Sequence, residues 1–133
     1  MKTIFYLFLF TLLISCVSCE KVSDDAVKLS VDFSWEGLKP CGWGNPEIHV
    51  NGIPEKTKYL KIKMYDHEYS HKHGTVVAPY TGEGIIARDR HKKIQGPCPP
   101  NNPGQYEITI KALDENEIVI GMGSKERFYP EKK

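Results

Sequence analysis

The chain has 133 residues, with 18 lysines and arginines against 17 aspartates and glutamates, for a formal net charge of +1. So even a balance, with both signs mixed along the chain, leaves no basic stripe of the kind that nucleic-acid binding requires. The chain is long enough for one domain with a core of its own.

In chain order, the first element is a leader. Met1 and Lys2 give a short charged start, Thr3 to Ile14 run almost wholly apolar, and Ser15-Cys16-Val17-Ser18-Cys19 supply a small-residue exit. This is the pattern of a secretory signal peptide over 1–19, too short for a membrane span of roughly 20 residues. Leu13-Ile14-Ser15-Cys16 resembles a bacterial lipobox, and Cys16-Val17-Ser18-Cys19 is a weaker version of it. The resemblance implies lipidation at Cys16 or Cys19, a membrane held through acyl chains, and a location facing the periplasm or cell exterior. An ordinary secretory signal is the plainer alternative.

Residues 20–27 are polar without an apolar period and read as a tether. The folded domain is expected over 28–133. Leu29, Val31, Phe33 and Trp35 alternate with polar neighbours, the mark of a half-buried strand. Residues 36–46 hold three glycines and two prolines and read as a loop. A short strand follows at 47–50, ended by the Asn51-Gly52 turn signal. Residues 58–65 alternate again around Leu60, Ile62 and Met64, and 74–78 read as a buried strand. A charged connection at 82–95 holds one short strand near 84–88. Residues 105–113 place Tyr106, Ile108, Ile110 and Ala112 on one face, and 116–120 repeat the pattern. No segment keeps a helical apolar period, so the fold class is all-β, an antiparallel sandwich or barrel with little helix.

Two cysteines remain in the domain, Cys41 and Cys98. In an oxidising compartment such a pair is expected to form a disulfide where geometry allows, and closing this loop would stabilise by about 4 kcal/mol. Cys98 lies in Gly96-Pro97-Cys98-Pro99-Pro100, where three prolines in five residues remove amide donors and exclude a central strand. By itself this is a rigid turn.

That segment, the spacing to Tyr106 and the strand ending Ala112-Leu113-Asp114 together resemble the phosphatidylethanolamine-binding-protein (PEBP) family. Asn45-Pro46-Glu47-Ile48 and Gly52-Ile53-Pro54-Glu55-Lys56-Thr57-Lys58 resemble upstream family motifs, and a strand ending in Asp66 follows. The resemblance implies an antiparallel β-sandwich with a small anion pocket at one end. It would be lined here by Asp66, His73, the Gly96, Pro97, Cys98, Pro99, Pro100 loop and Tyr106. Departures are equally plain. Asp66 is followed by His67-Glu68 where the family has Pro-Asp. Gly74 stands at a tryptophan position, and Gly104 and Gln105 replace a His-Arg pair. The chain ends at Lys133, before a longer helix-bearing segment of the family.

Two functions are therefore expected as alternatives. One is an exported, membrane-tethered, PEBP-like binding protein that takes a small anion or a phosphorylated headgroup, without catalysis. The other is a structural or protein-interaction lipoprotein, its partner unspecified, in which the pocket is vestigial and which could inhibit that partner. Asp66 and His73 satisfying each other beside a core Tyr106 would fit the second. His67, His71 and His73, with Asp66, Glu68 and His91 nearby, raise the question of a metal, but no zinc signature is present. Cys98, His73 and Asp66 could form a thiol triad only with a free thiolate. The expectation is no enzyme, no metal and no cofactor.

The leader generates a direct prediction. Mass spectrometry of the mature protein should find an N-terminal cysteine, Cys16 or Cys19, carrying a lipid mass increment. An unmodified N-terminus elsewhere would remove the lipoprotein reading.

Overall fold

The structure is a computed structural model that describes residues 19–99 and 103–131. The leader, Cys16 and Pro100 lie outside the described residues; Cys19 is an exposed free thiol. Eight strands run in order: β1 (Val22–Lys28), β2 (Ser30–Ser34), β3 (Glu47–Asn51), β4 (Tyr59–Asp66), β5 (His71–Pro79), β6 (Ile85–Ile86), β7 (Gly104–Leu113) and β8 (Val119–Tyr129). There is no helix among the described residues. A five-stranded sheet has the order β1-β8-β7-β4-β5, and a three-stranded sheet has the order β2-β3-β6. Every pairing is antiparallel except β1 with β8, which is parallel.

Period-two alternation builds the sandwich. Val31 and Phe33 of β2 and Ile48 and Val50 of β3 face Leu60, Ile62 and Met64 of β4 and Ile108, Ile110 and Ala112 of β7, all buried. In the large sheet Ile62 pairs with Ile110, Met64 with Ile108 and Asp66 with Tyr106. The apolar rows of the core thus end at one polar row, and that row positions the candidate site.

The segment 20–27, read as a tether, is instead largely strand β1. It runs along an edge of the large sheet, held by backbone pairing with β8 and burying few side chains, so its sequence carries no apolar period. At Leu29 the chain changes sheets: the Leu29 amide donates to the Met122 carbonyl at 2.9 Å, while Ser30 already pairs with Asn51 in the small sheet. Leu29 packs so closely on β8 that a Cβ at Gly123 would lie 2.2 Å from its carbonyl oxygen.

Two other expectations are corrected. Residues 74–78 belong to β5, an edge strand in which Val77 is exposed because it shares the solvent-facing side of the sheet with its partner Lys61. The strand expected at 116–120 begins at Val119 and continues to Tyr129. Asn116 and Glu117 form its turn, in which the Asp114 carboxylate accepts from the amides of Asn116 and Ile118, each at 2.9 Å.

Ile62 lies at the centre of the sandwich and is 1% exposed. Ile62→Ala should lower unfolding free energy by about 2–5 kcal/mol, read from urea melts at unchanged slope. A loss below 1 kcal/mol would mean that the two sheets do not share this core.

Candidate functional site

The site forms where the end of the large sheet meets two loops. Cys41 and Cys98 are joined by a disulfide with their Cα atoms 4.5 Å apart. Around it the loops pair by backbone: the Cys41 amide donates to the Pro97 carbonyl at 2.9 Å and the Gly96 amide to the Gly42 carbonyl at 2.7 Å, and Trp43 bridges Gln95. Glycine at 96 permits this approach, since a Cβ there would meet the Lys39 carbonyl at 3.2 Å.

Asp66, His73 and Tyr106 converge beneath this seam, with exposures of 3%, 5% and 0%. Asp66 closes β4, and its Oδ1 accepts from the amides of Glu68 at 2.9 Å and Tyr69 at 3.2 Å, so it builds the turn into β5. His73 reaches the core face because β5 bulges there. Gly74 pairs with Met64 and Lys72 with Tyr65, which leaves His73 as the additional residue and turns it inward. Its Nδ1 donates to the Gln95 carbonyl at 3.1 Å, and its Nε2 lies 3.9 Å from Asp66 Oδ2, beyond direct hydrogen bonding. The Tyr106 hydroxyl accepts from the Cys98 amide at 3.3 Å and donates to Asp66. An aromatic floor lies below, in which Trp35 meets Phe33, Tyr106 and Tyr129 edge to face.

Electrostatics follow from this burial. The Tyr106 hydroxyl is pushed up to about 12, first by desolvation and then by the Asp66 charge. His73 is held below the usual histidine value, mainly by desolvation and partly by His71; the Gln95 carbonyl and Asp66 oppose the shift without reversing it. The site therefore favours a neutral imidazole and a protonated phenol.

The structure brings Asp66, His73, Gly96, Pro97, Cys98, Pro99 and Tyr106 into one region, yet the anion donors expected of the loop are already engaged. The Gly96 amide is given to Gly42 and the Cys98 amide to Tyr106, while Pro97 and Pro99 have none. The space at the substituted positions is taken by backbone or by a side chain, or the residue points away. A Cβ at Gly74, whose φ is +135°, would lie 2.5 Å from the Lys93 carbonyl oxygen. At Gly104 it would lie 2.7–2.9 Å from the Tyr106 ring and hydroxyl. The Gln105 amide donates outward to Glu126 at 2.7 Å. Clefts of about 500 and 330 Å³ lie elsewhere: the larger along Leu60, Ile62, Ile86 and Arg90, the smaller on the outer face of the large sheet.

The three neighbouring histidines do not converge. His71 and His73 meet edge to face at 4.9 Å, but His67 lies on the outer face against Glu107 at 2.8 Å and Glu126 at 3.7 Å. Asn45 is a residue whose role the sequence did not reveal. It is fully buried and ties three groups together: its Nδ2 donates to the carbonyls of Pro46 and Ala87, and its Oδ1 accepts from the His91 amide. Only the Asn-Pro dipeptide hinted at it.

Two solved structures share this architecture. CT736 of Chlamydia trachomatis, described as a PEBP homologue, superposes with a TM-score of 0.55 at 16% identity, covering 82% of this chain and 99% of its own. YbcL of E. coli, described as a member of the mammalian PEBP family, gives 0.52 at 22% identity, covering 86% and 92%. No family model and no curated protein sequence matches the chain. The fold is thus that of a bacterial PEBP-type β-sandwich.

A buried neutral histidine makes stability depend on pH in a defined direction. With the folded pKa below the unfolded value near 6.5, the unfolded chain takes up a proton first as pH falls. The stability contributed is full above that value and declines as pH drops through the folded pKa. His91, also lowered by burial and by Arg90, adds to the same slope. His73→Gln should therefore flatten, without abolishing, the fall of urea midpoints between neutral and mildly acidic pH. An unchanged slope would show that His73 is not the titrating group.

Proposed function

We propose that the protein is an exported, membrane-tethered interaction module without catalysis, in which the pocket expected from the PEBP resemblance is closed into a structural polar cluster. One observation carries this reading: the loop amides that would receive an anion are already bonded inside the protein. Asp66 is likewise occupied on Oδ1 by the turn it forms. A buried polar cluster satisfied in this way fixes the register of the loops above it. The Cys41–Cys98 bridge fits an oxidising compartment and leaves Cys98 without a thiolate, which argues against a thiol enzyme.

A second reading keeps a small-anion or phosphorylated-headgroup site here. Its support is the convergence of Asp66, His73 and Tyr106 beside the Gly96–Pro99 loop, with 3.9 Å between His73 Nε2 and Asp66 Oδ2. An anionic oxygen there would accept from His73 Nε2 only with the imidazole protonated, against the direction in which burial moves it.

Titration with phosphate and then phosphoethanolamine, followed by NMR at the Gly96 amide and the His73 imidazole, separates the two. The closed-cluster reading expects flat signals well into millimolar ligand, and His73→Ala should change stability alone. Saturable shifts confined to Gly96, Cys98, His73 and Tyr106, lost in His73→Ala, would establish the second reading instead.

A further inference from the structure

The outer face of the large sheet, solvent-facing and on the opposite side from the polar cluster, carries an organised set of charges. In register across β5, β4, β7 and β8 run Val77, Lys61, Lys111 and Met122; the next row runs Thr75, Lys63, Thr109 and Ser124. Lys72, paired with Tyr65, borders these rows. Lys61 and Lys111 stand directly opposite each other, an arrangement of like charges that destabilises a sheet unless it is relieved. Glu20 provides the relief: its carboxylate is bonded to Lys61 at 2.9 Å and to Lys111, and these bonds lower its pKa. Lys63 and Lys72 have no carboxylate within ion-pair distance among the described residues; Lys63 lies over the Tyr65 ring. Lys61, Lys63, Lys72, Lys111, Thr75 and Thr109, together with Glu20, line the cleft of about 330 Å³. The acidic members of this face, Glu107 and Glu126, share the row of Lys72 and Tyr65 on the far strands and meet His67 there, and the Lys63 charge acts on Glu107.

Glu20 is also the residue after Cys19 and the fourth after Cys16. A fully extended chain spans at most about 3.6 Å per residue, so Glu20 lies within about 4 Å of a lipidated Cys19 or about 14 Å of a lipidated Cys16. The remainder of the expected tether is strand β1, hydrogen-bonded into the sheet from Val22. No slack remains to carry this face away from the bilayer. The spacing is comparable to the Debye length of about 8 Å at physiological ionic strength, within which lysines feel anionic headgroups.

We propose that this lysine face is a membrane-docking surface that lies against anionic phospholipid headgroups, with Lys63 and Lys72 as its free cations and Glu20 fixing the anchor to it. The inference rests on the lipid anchor for its geometry. In the docked state the polar-cluster end and the small sheet are presented away from the bilayer's plane, where a partner could reach them.

The test uses the full chain, expressed in a bacterial host, recovered in detergent and placed in phosphatidylcholine vesicles with or without phosphatidylglycerol. Lysine reactivity toward a water-soluble amine reagent is read residue by residue by mass spectrometry. Lys63 and Lys72 should label several-fold more slowly when phosphatidylglycerol is present, with high salt restoring the rate and with the loop residues Lys39 and Lys92 unchanged. Equal labelling in both vesicles would overturn the proposal. The N-terminal mass of the same sample reports separately on the anchor. If no lipid is found there, the same protein is sedimented with phosphatidylglycerol vesicles. At about fivefold per lysine, Lys63→Gln with Lys72→Gln should weaken that partition about 25-fold, and absence of sedimentation would overturn the docking surface independently of the anchor. Both substitutions are at exposed positions, so unchanged urea midpoints confirm that the comparison is between folded proteins.

Discussion

The seam between the 36–46 loop and the Gly96–Pro99 loop is the constraint on which this end of the molecule depends. Proline removes amide donors, so a loop with Pro97 and Pro99 has few ways to satisfy itself when buried. The two amides that remain are used at once, Gly96 toward Gly42 and Cys98 toward Tyr106, while Pro97 accepts from Cys41 and the disulfide ties the pair. This arrangement fixes Tyr106, which in turn orients toward Asp66; the neighbouring Gln95 carbonyl fixes His73. A pocket that receives an anion needs donors held in reserve. Here the donors hold the loops together.

A second regularity appears on the outer face of the large sheet. Two cross-strand pairs place like charges opposite one another, Lys61 with Lys111 and Glu107 with Glu126. Each is relieved by a residue of the opposite sign brought from outside the pair: Glu20 for the lysines, His67 for the glutamates. The two lysines hold Glu20 in its charged form, whereas His67 reaches its two glutamates unequally, at 2.8 and 3.7 Å. The two ends of this face therefore differ in how firmly their charge is balanced, and the lysine end is the one that holds Glu20, next to Cys19.

Much of the fold was legible because half-buried strands announce themselves by alternation. Phe33, Ile62 and Ile110 follow from period alone, and the Cys98 segment carried both the disulfide and the resemblance. What escaped lacked a side-chain signal. β1 is held by its backbone at an edge; in β8 the near half holds Gly121 and Gly123, which admit Leu29 closely, and the far half from Ser124 is mostly polar without a buried row. For the site, the convergence of Asp66, His73 and Tyr106 was readable from motif positions, but the fate of each amide was not. Inward rotation of His73 depends on a bulge of one residue; the space at Gly74 is taken by the Lys93 backbone and that at Gly104 by the Tyr106 ring, each within 3 Å of where a side chain would begin.

The pairing of β1 with β8 also bears on how the protein can be made. These strands come from opposite ends of the chain, yet they are neighbours in the large sheet. A polypeptide that crosses a membrane N-terminus first would deliver β1 well before its partner. Its exposed strand edge would then wait, in extended form, until the final segment emerged. The last step of assembly would join the two ends of the chain, so the sheet would be completed only after translocation was nearly finished, and a molecule truncated near Val119 would leave its first strand with nothing to pair with.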